Sequence, residues 1–108
     1  MAKYLIEETL EPQGMAGMFK NPEDRMEPIR RIFEAAGCKL EQFYGSLTEN
    51  KTYLIVESPD LKSIYAVTAN FLAAGAAASI KCSPLFTTSE AVDIFKKAAS
   101  LPYRPPGK

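Results

Sequence analysis

The sequence predicts an α+β fold in which four β-strands and two main helices follow one another in the order βαββαβ. Three observations support this prediction. Segments in which apolar and polar residues alternate, which is typical of half-buried strands, are separated by segments with apolar residues at helical spacing. Proline, glycine and asparagine lie at the junctions. The chain has 108 residues, which is the length of one domain.

The first strand is predicted over residues 3–10, because apolar residues recur there at alternate positions. Successive side chains of a strand point to opposite faces, so Tyr4, Ile6 and Leu10 share one side. Glu8 interrupts this apolar side. The proline and glycine residues that follow are expected to end the strand.

The first main helix is predicted to end at Ala36, before a stop at the next residue, a glycine. Its apolar face consists of Met26, Ile29, Phe33 and Ala36. Asn21-Pro22 resembles a helix cap followed by a first-turn proline. Pro28 deep inside a helix would cost about 3 kcal/mol, so the helix either kinks there or begins firmly at that residue. Residues 15–27 are ambiguous, because the sequence does not show in which direction their apolar side chains would pack.

The second and third strands are predicted over residues 38–47 and 52–57. A polar turn, Thr48-Glu49-Asn50-Lys51, joins them as a hairpin. Asn50 is available for a positive φ, which asparagine tolerates better than most residues.

Ser58-Pro59-Asp60 is expected to open the second main helix, and Gly75 to end it. The predicted buried stripe of this helix is Leu61, Ile64, Tyr65, Thr68, Phe71 and Leu72. A fourth strand is predicted over roughly residues 78–86. Thr87 and Glu90 have the spacing of a capping box, which predicts a third helix through Ala99.

Residues 1–100 therefore form the predicted domain, and residues 101–108 a proline-rich tail. The tail is expected to be extended, because proline cannot continue a helix. The order of the elements, with an extra C-terminal helix, is the split βαβ pattern of a ferredoxin-like sandwich. Right-handed crossovers then place both main helices on one face of a four-stranded antiparallel sheet.

Composition narrows the chemistry that this chain can perform. It has 13 basic and 13 acidic residues and no basic stripe, so the electrostatic footprint of a nucleic-acid-binding protein is missing. The sequence holds no histidine, which excludes a Ser-His-Asp triad, a His-ligated haem and a His-containing metal site. Cys38 and Cys82 are isolated, which indicates neither a zinc site nor a redox pair. We expect neither a metal nor a cofactor.

The sequence gives no sign of a membrane segment. No apolar run approaches the roughly 20 residues that span a bilayer. The N-terminus lacks a signal pattern, since Lys3-Tyr4-Leu5-Ile6 already belongs to the first predicted strand. We therefore expect no membrane partner and a cytoplasmic location.

The second face of the predicted sheet indicates self-association. The residues expected to face the helices are Tyr4, Ile6, Leu40, Leu54, Val56, Ile80 and Cys82. The opposite face then holds an apolar group formed by Leu5, Phe43, Tyr53, Ile55 and Leu85. Such a group usually marks an interface, and the charged residues mixed with it would leave a partly polar cleft between two copies. We expect a homodimer or a higher oligomer through this face.

Four residues of that face are candidate ligand-binding residues: Glu7, Tyr53, Glu57 and Lys81. The first strand is expected between the third and the fourth, which makes these groups neighbours. An enclosed carboxylate and ammonium shift each other's pKa and can move protons or hold a polar ligand. Tyr53 could donate a hydrogen bond to a bound carbonyl. The structural alternative is an ion pair between Glu7 and Lys81, with Tyr53 packed in the interface.

Three methionines have two possible roles. Met15, Met18 and Met26 could form an adaptable lid over a cleft, but we favour the interpretation that they fill gaps in the packing.

Three segments of the chain resemble the GYD domain family. They are Gly37-Cys38-Lys39-Leu40-Glu41-Gln42-Phe43-Tyr44, Tyr53-Leu54-Ile55-Val56-Glu57-Ser58-Pro59-Asp60 and Tyr103-Arg104-Pro105-Pro106-Gly107. The resemblance covers nearly the whole chain. It implies a bacterial or archaeal protein with a ferredoxin-like fold that associates as a dimeric α/β barrel and whose biochemical function is largely unassigned.

The chain departs from that family at one point. Where the name-giving Gly-Tyr-Asp would fall, it has Glu49-Asn50-Lys51. If the tripeptide carries a function, this protein lacks it. If the tripeptide only shapes a hairpin turn, Asn50 can serve, and we favour this interpretation because turn residues are commonly chosen for backbone reasons.

Two classes of function stay open on the sequence. The first is a self-associating module that binds a small molecule or serves in assembly. The second is a cofactor-independent monooxygenase or isomerase acting on a small organic compound, with Glu7, Tyr53 or Lys81 as the proton-handling group. Dimeric α/β barrels include such enzymes, although a fold alone does not imply a function. A third possibility is a regulatory domain of the kind that accompanies a DNA-binding domain. We disfavour it because this sequence contains no segment that could be such a partner.

Overall fold

The computed structural model describes residues 1–107 of the chain. Its elements, in chain order, are β1 (Ala2–Leu10), α1 (Pro12–Lys20), α2 (Met26–Ala35), β2 (Lys39–Ser46), β3 (Lys51–Ser58), α3 (Leu61–Ala73), β4 (Ala77–Leu85) and α4 (Thr88–Ala99). None of the helices within these residues is long and apolar enough to cross a membrane.

The four strands form one open sheet in the order β2-β3-β1-β4. Every neighbouring pair is antiparallel, and α2 and α3 pack on the same face. This arrangement confirms the predicted α+β fold with a four-stranded antiparallel sheet, and it agrees with a ferredoxin-like topology.

The core lies between the sheet and the helices α2 and α3. Its most completely buried apolar side chains are Phe33, Ile6, Leu54, Ile64 and Val56. The rings of Phe33 and Phe71 meet edge to face, with centroids 6.0 Å apart and planes at 78°, and so join the two helices. The strand residues predicted to face the helices do so, since they are buried or packed against this core.

The start of α2 answers the question raised by Pro28. The helix begins at Met26, so Pro28 is its third residue. The first four N–H groups of a helix have no partner within it, and a proline there sacrifices no hydrogen bond. The ladder starts at Ile29, whose N–H donates to the Arg25 carbonyl at 3.1 Å. The cap predicted at Asn21 is wrong, because that residue ends α1.

Helix α1 includes the first part of residues 15–27, the segment that the sequence left ambiguous. Pro12 both ends β1 and stands in the first turn of α1, where its fixed φ suits a helix and its missing N–H is not needed. Residues 22–25 then connect α1 to α2 without helix or strand.

A β-bulge corrects the prediction for β2. The pairing of β2 with β3 shifts between Leu40 and the residue after Glu41, so one extra residue enters the strand and reverses the faces beyond it. Phe43 therefore lies opposite Leu54 and packs against the core. Its predicted place on the open face is wrong, and Tyr44 lies there instead.

The predicted buried stripe of α3 is correct in part. Ile64, Thr68 and Phe71 are buried, together with Val67. Leu61, Tyr65 and Leu72 are instead 36%, 56% and 45% exposed. The sheet covers only part of the circumference of the helix, so the outer members of the predicted stripe stay outside.

The hairpin turn and the cap of the last helix form as the sequence predicts. Asn50 has a φ of 55°, and its side-chain amide donates to the Leu10 carbonyl at 3.1 Å. Thr87 and Glu90 form the predicted capping box, with two hydrogen bonds of 3.1 Å. Residues 101–105 form neither helix nor strand, and Lys108, the last residue of the predicted tail, lies outside the described residues.

Candidate functional site

Three of the four predicted site residues lie side by side on the open face of the sheet. Glu7 on β1 stands directly opposite Tyr53 on β3 and Lys81 on β4. Glu57 is opposite Lys3 instead. It is four residues along β3 from Tyr53, which is about 13 Å at the usual rise of a strand. Glu57 therefore does not join the other three.

Glu7 lies between two lysines. One of its carboxylate oxygens is 3.9 Å from Lys51 Nζ and the other is 3.9 Å from Lys81 Nζ. The side chain of Lys81 is 76% exposed, so water screens this pair and leaves it little energy. In the single chain the side chain of Glu7 is only 18% exposed and that of Lys51 is 32% exposed, so the carboxylate is already partly buried while Lys81 stays in water.

A large cleft lies on the other side of the sheet, between the strands and the α1–α2 segment. Its volume is about 1180 Å³, which is ample for a small organic molecule. Apolar side chains form most of its walls, among them Met15, Met18, Met26, Ile29, Phe43 and Phe71. Among the described residues that line it, none belongs to the four predicted on the open face.

The cleft exists because α1 is tied to a loop rather than packed onto the sheet. Gln13 Nε2 donates to the Gly75 carbonyl at 2.8 Å, and the N–H of Glu11 donates to the Ala76 carbonyl at 3.3 Å. In the described chain α1 buries none of its residues completely. Its methionines stay half-buried and face the space between helix and sheet.

Glu8 places a carboxyl group in this cleft. It points to the helix side of β1, opposite Thr52 on β3. Its Oε2 accepts a hydrogen bond of 3.4 Å from the Thr52 hydroxyl. Burial raises the pKa of Glu8, while the Thr52 hydrogen bond and the positive charge of Arg25 oppose that rise. A raised pKa keeps a carboxyl protonated up to a higher pH than usual, and the protonated form donates as well as accepts a hydrogen bond.

The mouth of the cleft is polar. The lining residues Asn21, Glu23, Asp24 and Arg25 come from the connection between α1 and α2 and are exposed. Arg25 donates to Glu23 at 2.6 Å. A ligand would therefore pass a charged rim before it reaches apolar walls and Glu8.

Sequence reasoning missed Glu8 as a candidate, although the sequence carried its signal. A charged residue interrupts the core-facing series Tyr4, Ile6, Leu10 of β1, and a charge is rarely buried without a reason. Met15, Met18 and Met26, for which the sequence left both a lid and gap-filling open, are among the residues that line this cleft.

The two cysteines do not add a nucleophile to the site. Cys38 is buried, and its thiol donates to Ser58 Oγ at 3.3 Å. Burial raises the pKa of Cys82, which disfavours the reactive thiolate. Within residues 1–107 no group of three or more Cys, Asp or Glu residues could hold a metal ion.

Replacing Glu8 by glutamine should flatten the pH dependence of stability above pH 4.5. The folded-state pKa of Glu8 lies above its ordinary value of 4.5, so the folded chain binds more protons than the unfolded chain between the two values. Stability therefore falls as the pH rises through that window, and Glu8→Gln lacks this loss. Urea unfolding of both proteins from pH 4 to pH 8 measures it. A stability difference that stays constant across the series would contradict the prediction.

The geometry defines a ferredoxin-like α+β domain with a carboxyl-bearing cleft under its helices and an uncovered sheet face. The sequence profile of the GYD domain matches residues 4–95 of the chain. This chain therefore belongs to the GYD domain family, which confirms the resemblance seen in its sequence. The Tyr103–Gly107 segment lies beyond the matched residues. A search of curated proteins found no match.

Proposed function

We propose that this protein binds a small, largely apolar organic molecule in the cleft, with Glu8 as the group that recognises one polar atom of the ligand. The observation that carries the proposal is the half-buried carboxyl of Glu8 among the apolar walls of a cleft of about 1180 Å³. Pockets that bind small molecules commonly combine apolar walls with a few placed polar groups.

Hydrogen bonding favours a ligand with a hydroxyl or carbonyl group. The 3.4 Å bond from Thr52 leaves most of the hydrogen-bonding capacity of Glu8 unused, and a half-buried carboxyl gains from a further partner. When protonated, Glu8 can donate to a carbonyl oxygen of the ligand. When ionised, it can accept from a hydroxyl group.

The methionines suit a ligand of variable shape. Met15, Met18 and Met26 come from α1 and α2 and meet at the cleft. Unbranched thioether side chains adapt to irregular apolar surfaces. The wall can therefore close around rings or chains of different outline while Glu8 keeps the polar contact.

The alternative function is that of a cofactor-independent isomerase or monooxygenase acting on a small organic compound. The raised pKa of Glu8 favours it, because a carboxyl of this kind suits general acid–base catalysis. In an isomerisation Glu8 would take a proton from the carbon next to a carbonyl and return it at another carbon. An oxygenation would use dioxygen as co-substrate: one oxygen atom would enter the organic substrate and the other would leave as water, with the two electrons and two protons for that water supplied by the substrate.

We further propose that the chain forms a homodimer or a higher oligomer through the open face of the sheet. Leu5 and Ile55 stand opposite each other at its centre, and the exposed ring of Tyr44 lies on the same face, opposite Tyr53. Packing a second copy here would remove these apolar groups from water. It would also enclose Glu7 with its lysines.

A matched pair of ligands tests the role of Glu8. We expect 2-naphthol to bind the protein about tenfold more tightly than naphthalene, because only naphthol can hydrogen-bond to a carboxylate. This preference should vanish in Glu8→Leu. It should persist in Glu7→Leu, which makes the same change on the opposite face of β1. Calorimetric titration measures the affinities. Equal affinities in the parent, or a preference that survives in Glu8→Leu, would refute the proposal.

A further inference from the structure

Helix α4 is formed but lacks a packing partner in the single chain. In the described chain none of its residues is buried, and all except Ala91 are exposed. Val92, Ile94 and Phe95 are 52%, 45% and 65% exposed. Large apolar side chains in such numbers on one short helix are unusual for a surface that only meets water.

The sequence of α4 has the pattern of a helix that packs against something. Its apolar residues are Ala91, Val92, Ile94, Phe95, Ala98 and Ala99. At 3.6 residues per turn they share one side, opposite Asp93 and Lys97. A helix of 12 residues is at the limit of stability in water, so the capping box alone does not account for it. Burial of the apolar side of α4 against another surface would account for its stability.

The shape of the molecule shows that α4 leaves its own domain. The Cα radius of gyration is 17.6 Å and the longest dimension is 59 Å. A compact domain of this length has a radius of gyration of about 13 Å. The C-terminal part is therefore an arm, and the core of its own chain does not cover it.

The area exposed on the arm approaches what a stable interface needs. Phe86, Phe95 and Tyr103 are 59%, 65% and 79% exposed, and Leu101 is 61% exposed. Each aromatic ring can bury roughly 150–250 Å², so together with the aliphatic residues the arm offers several hundred Å². A standard interface takes about 800 Å² from each partner, and the sheet face supplies the remainder.

We infer that residues 86–103, which contain α4, form an exchanged arm that packs on a second copy of this chain. The inference rests on the proposed self-association and adds a second contact to it. In a two-fold pair each copy gives its arm and receives the other, so both arms are buried at once. The arm follows β4, the strand at one edge of the sheet. The arm and the open face of the sheet can therefore contact the same second copy.

The charges on α4 favour a protein partner over a lipid surface. Its polar side carries Glu90 and Asp93 against Lys96 and Lys97, so the helix has no net charge. Helices that lie on membranes are commonly rich in lysine and arginine on the polar side. A second copy of this chain requires no such excess.

Phe95→Glu should weaken the dimer at least about thirtyfold, because it places a charge at the centre of the buried side. Lys97→Gln is the matched control. It also lowers the net charge by one, but on the polar side of α4, and its dimer constant should stay within about twofold of the parent. Sedimentation equilibrium gives the constants, and circular dichroism shows that both variants fold. A Phe95→Glu dimer as tight as the parent dimer would overturn the inference.

A photoreactive benzophenone side chain at position 95 identifies what the arm contacts. Cross-linking of the full chain should give a product of twice the chain mass. A product of single-chain mass would show that the arm folds back on its own chain and would refute the exchange. Binding of the parent, as a monomer, to anionic phosphatidylglycerol vesicles would refute it as well.

These outcomes separate the arm from the sheet face. If Phe95→Glu stays dimeric while Ile55→Glu on the sheet is monomeric, the arm inference fails and the proposed self-association stands. If the parent itself is monomeric at micromolar concentration, both fail, while the ligand proposal for Glu8 is still decided by its own titration.

Discussion

Replacing Phe33 by alanine should lower the free energy of unfolding by about 3–5 kcal/mol, the range for a large aromatic side chain removed from a core. Phe33 is 0% exposed, and its ring meets that of Phe71 at 6.0 Å. It therefore joins α2 both to the sheet and to α3. A domain of this size is stable by only about 5–15 kcal/mol, so the loss would take a large share of the total.

Equilibrium unfolding in urea measures this change. Phe19→Ala is the control, because it deletes the same atoms from a side chain that is 80% exposed and should alter stability by less than about 0.5 kcal/mol. Each protein should be unfolded at several concentrations, since self-association adds to apparent stability. A loss below about 1 kcal/mol for Phe33→Ala would contradict the packing of α2 on the sheet.

Ile55→Glu should raise the dimer dissociation constant at least about a hundredfold. Ile55 lies opposite Leu5 in the middle of the open face and is only partly covered in the single chain. A glutamate there can stay in water in the monomer, but the dimer would bury it without a partner. Burying an unpaired charge is among the most costly changes at an interface, and two-fold symmetry would bury one from each copy.

Light scattering at several protein concentrations measures this effect. Lys62→Gln is the control, because it also lowers the net charge by one but lies exposed on α3, on the other side of the sheet. That variant should associate as the parent does. If Ile55→Glu remains dimeric, the open face is not the contact surface, whatever the role of the arm.

Strand β1 connects the two proposed sites. Glu7 and Glu8 are consecutive residues, so they point to opposite faces of the sheet. Glu7 lies on the proposed dimer face, between Lys51 and Lys81. Glu8 lies in the cleft beneath the helices. The comparison of Glu7→Leu with Glu8→Leu therefore separates the chemistry of one face from that of the other within a single strand.

Much of the local structure could be predicted from the sequence. The capping box of Thr87 and Glu90, the positive φ of Asn50 and the limits of the strands all depend on neighbouring residues, and these local preferences act within a few positions. The strand order follows from the order of elements and the right-handed crossover. That order also brings Glu7, Tyr53 and Lys81 together, as predicted.

Only the tertiary structure decided where the cleft lies and what enters it. The bulge at Glu41 turned Phe43 inward, and no local preference distinguishes a bulged strand from a regular one. The cleft exists because α1 is tied to Gly75, which is distant in the sequence. The sequence shows Glu8 as a charge on the apolar side of β1, but only the gap beneath α1 gives its carboxyl room to meet a ligand. Periodicity tells which side of an element is apolar, but contacts between distant segments determine whether that side is filled, open or covered by another chain.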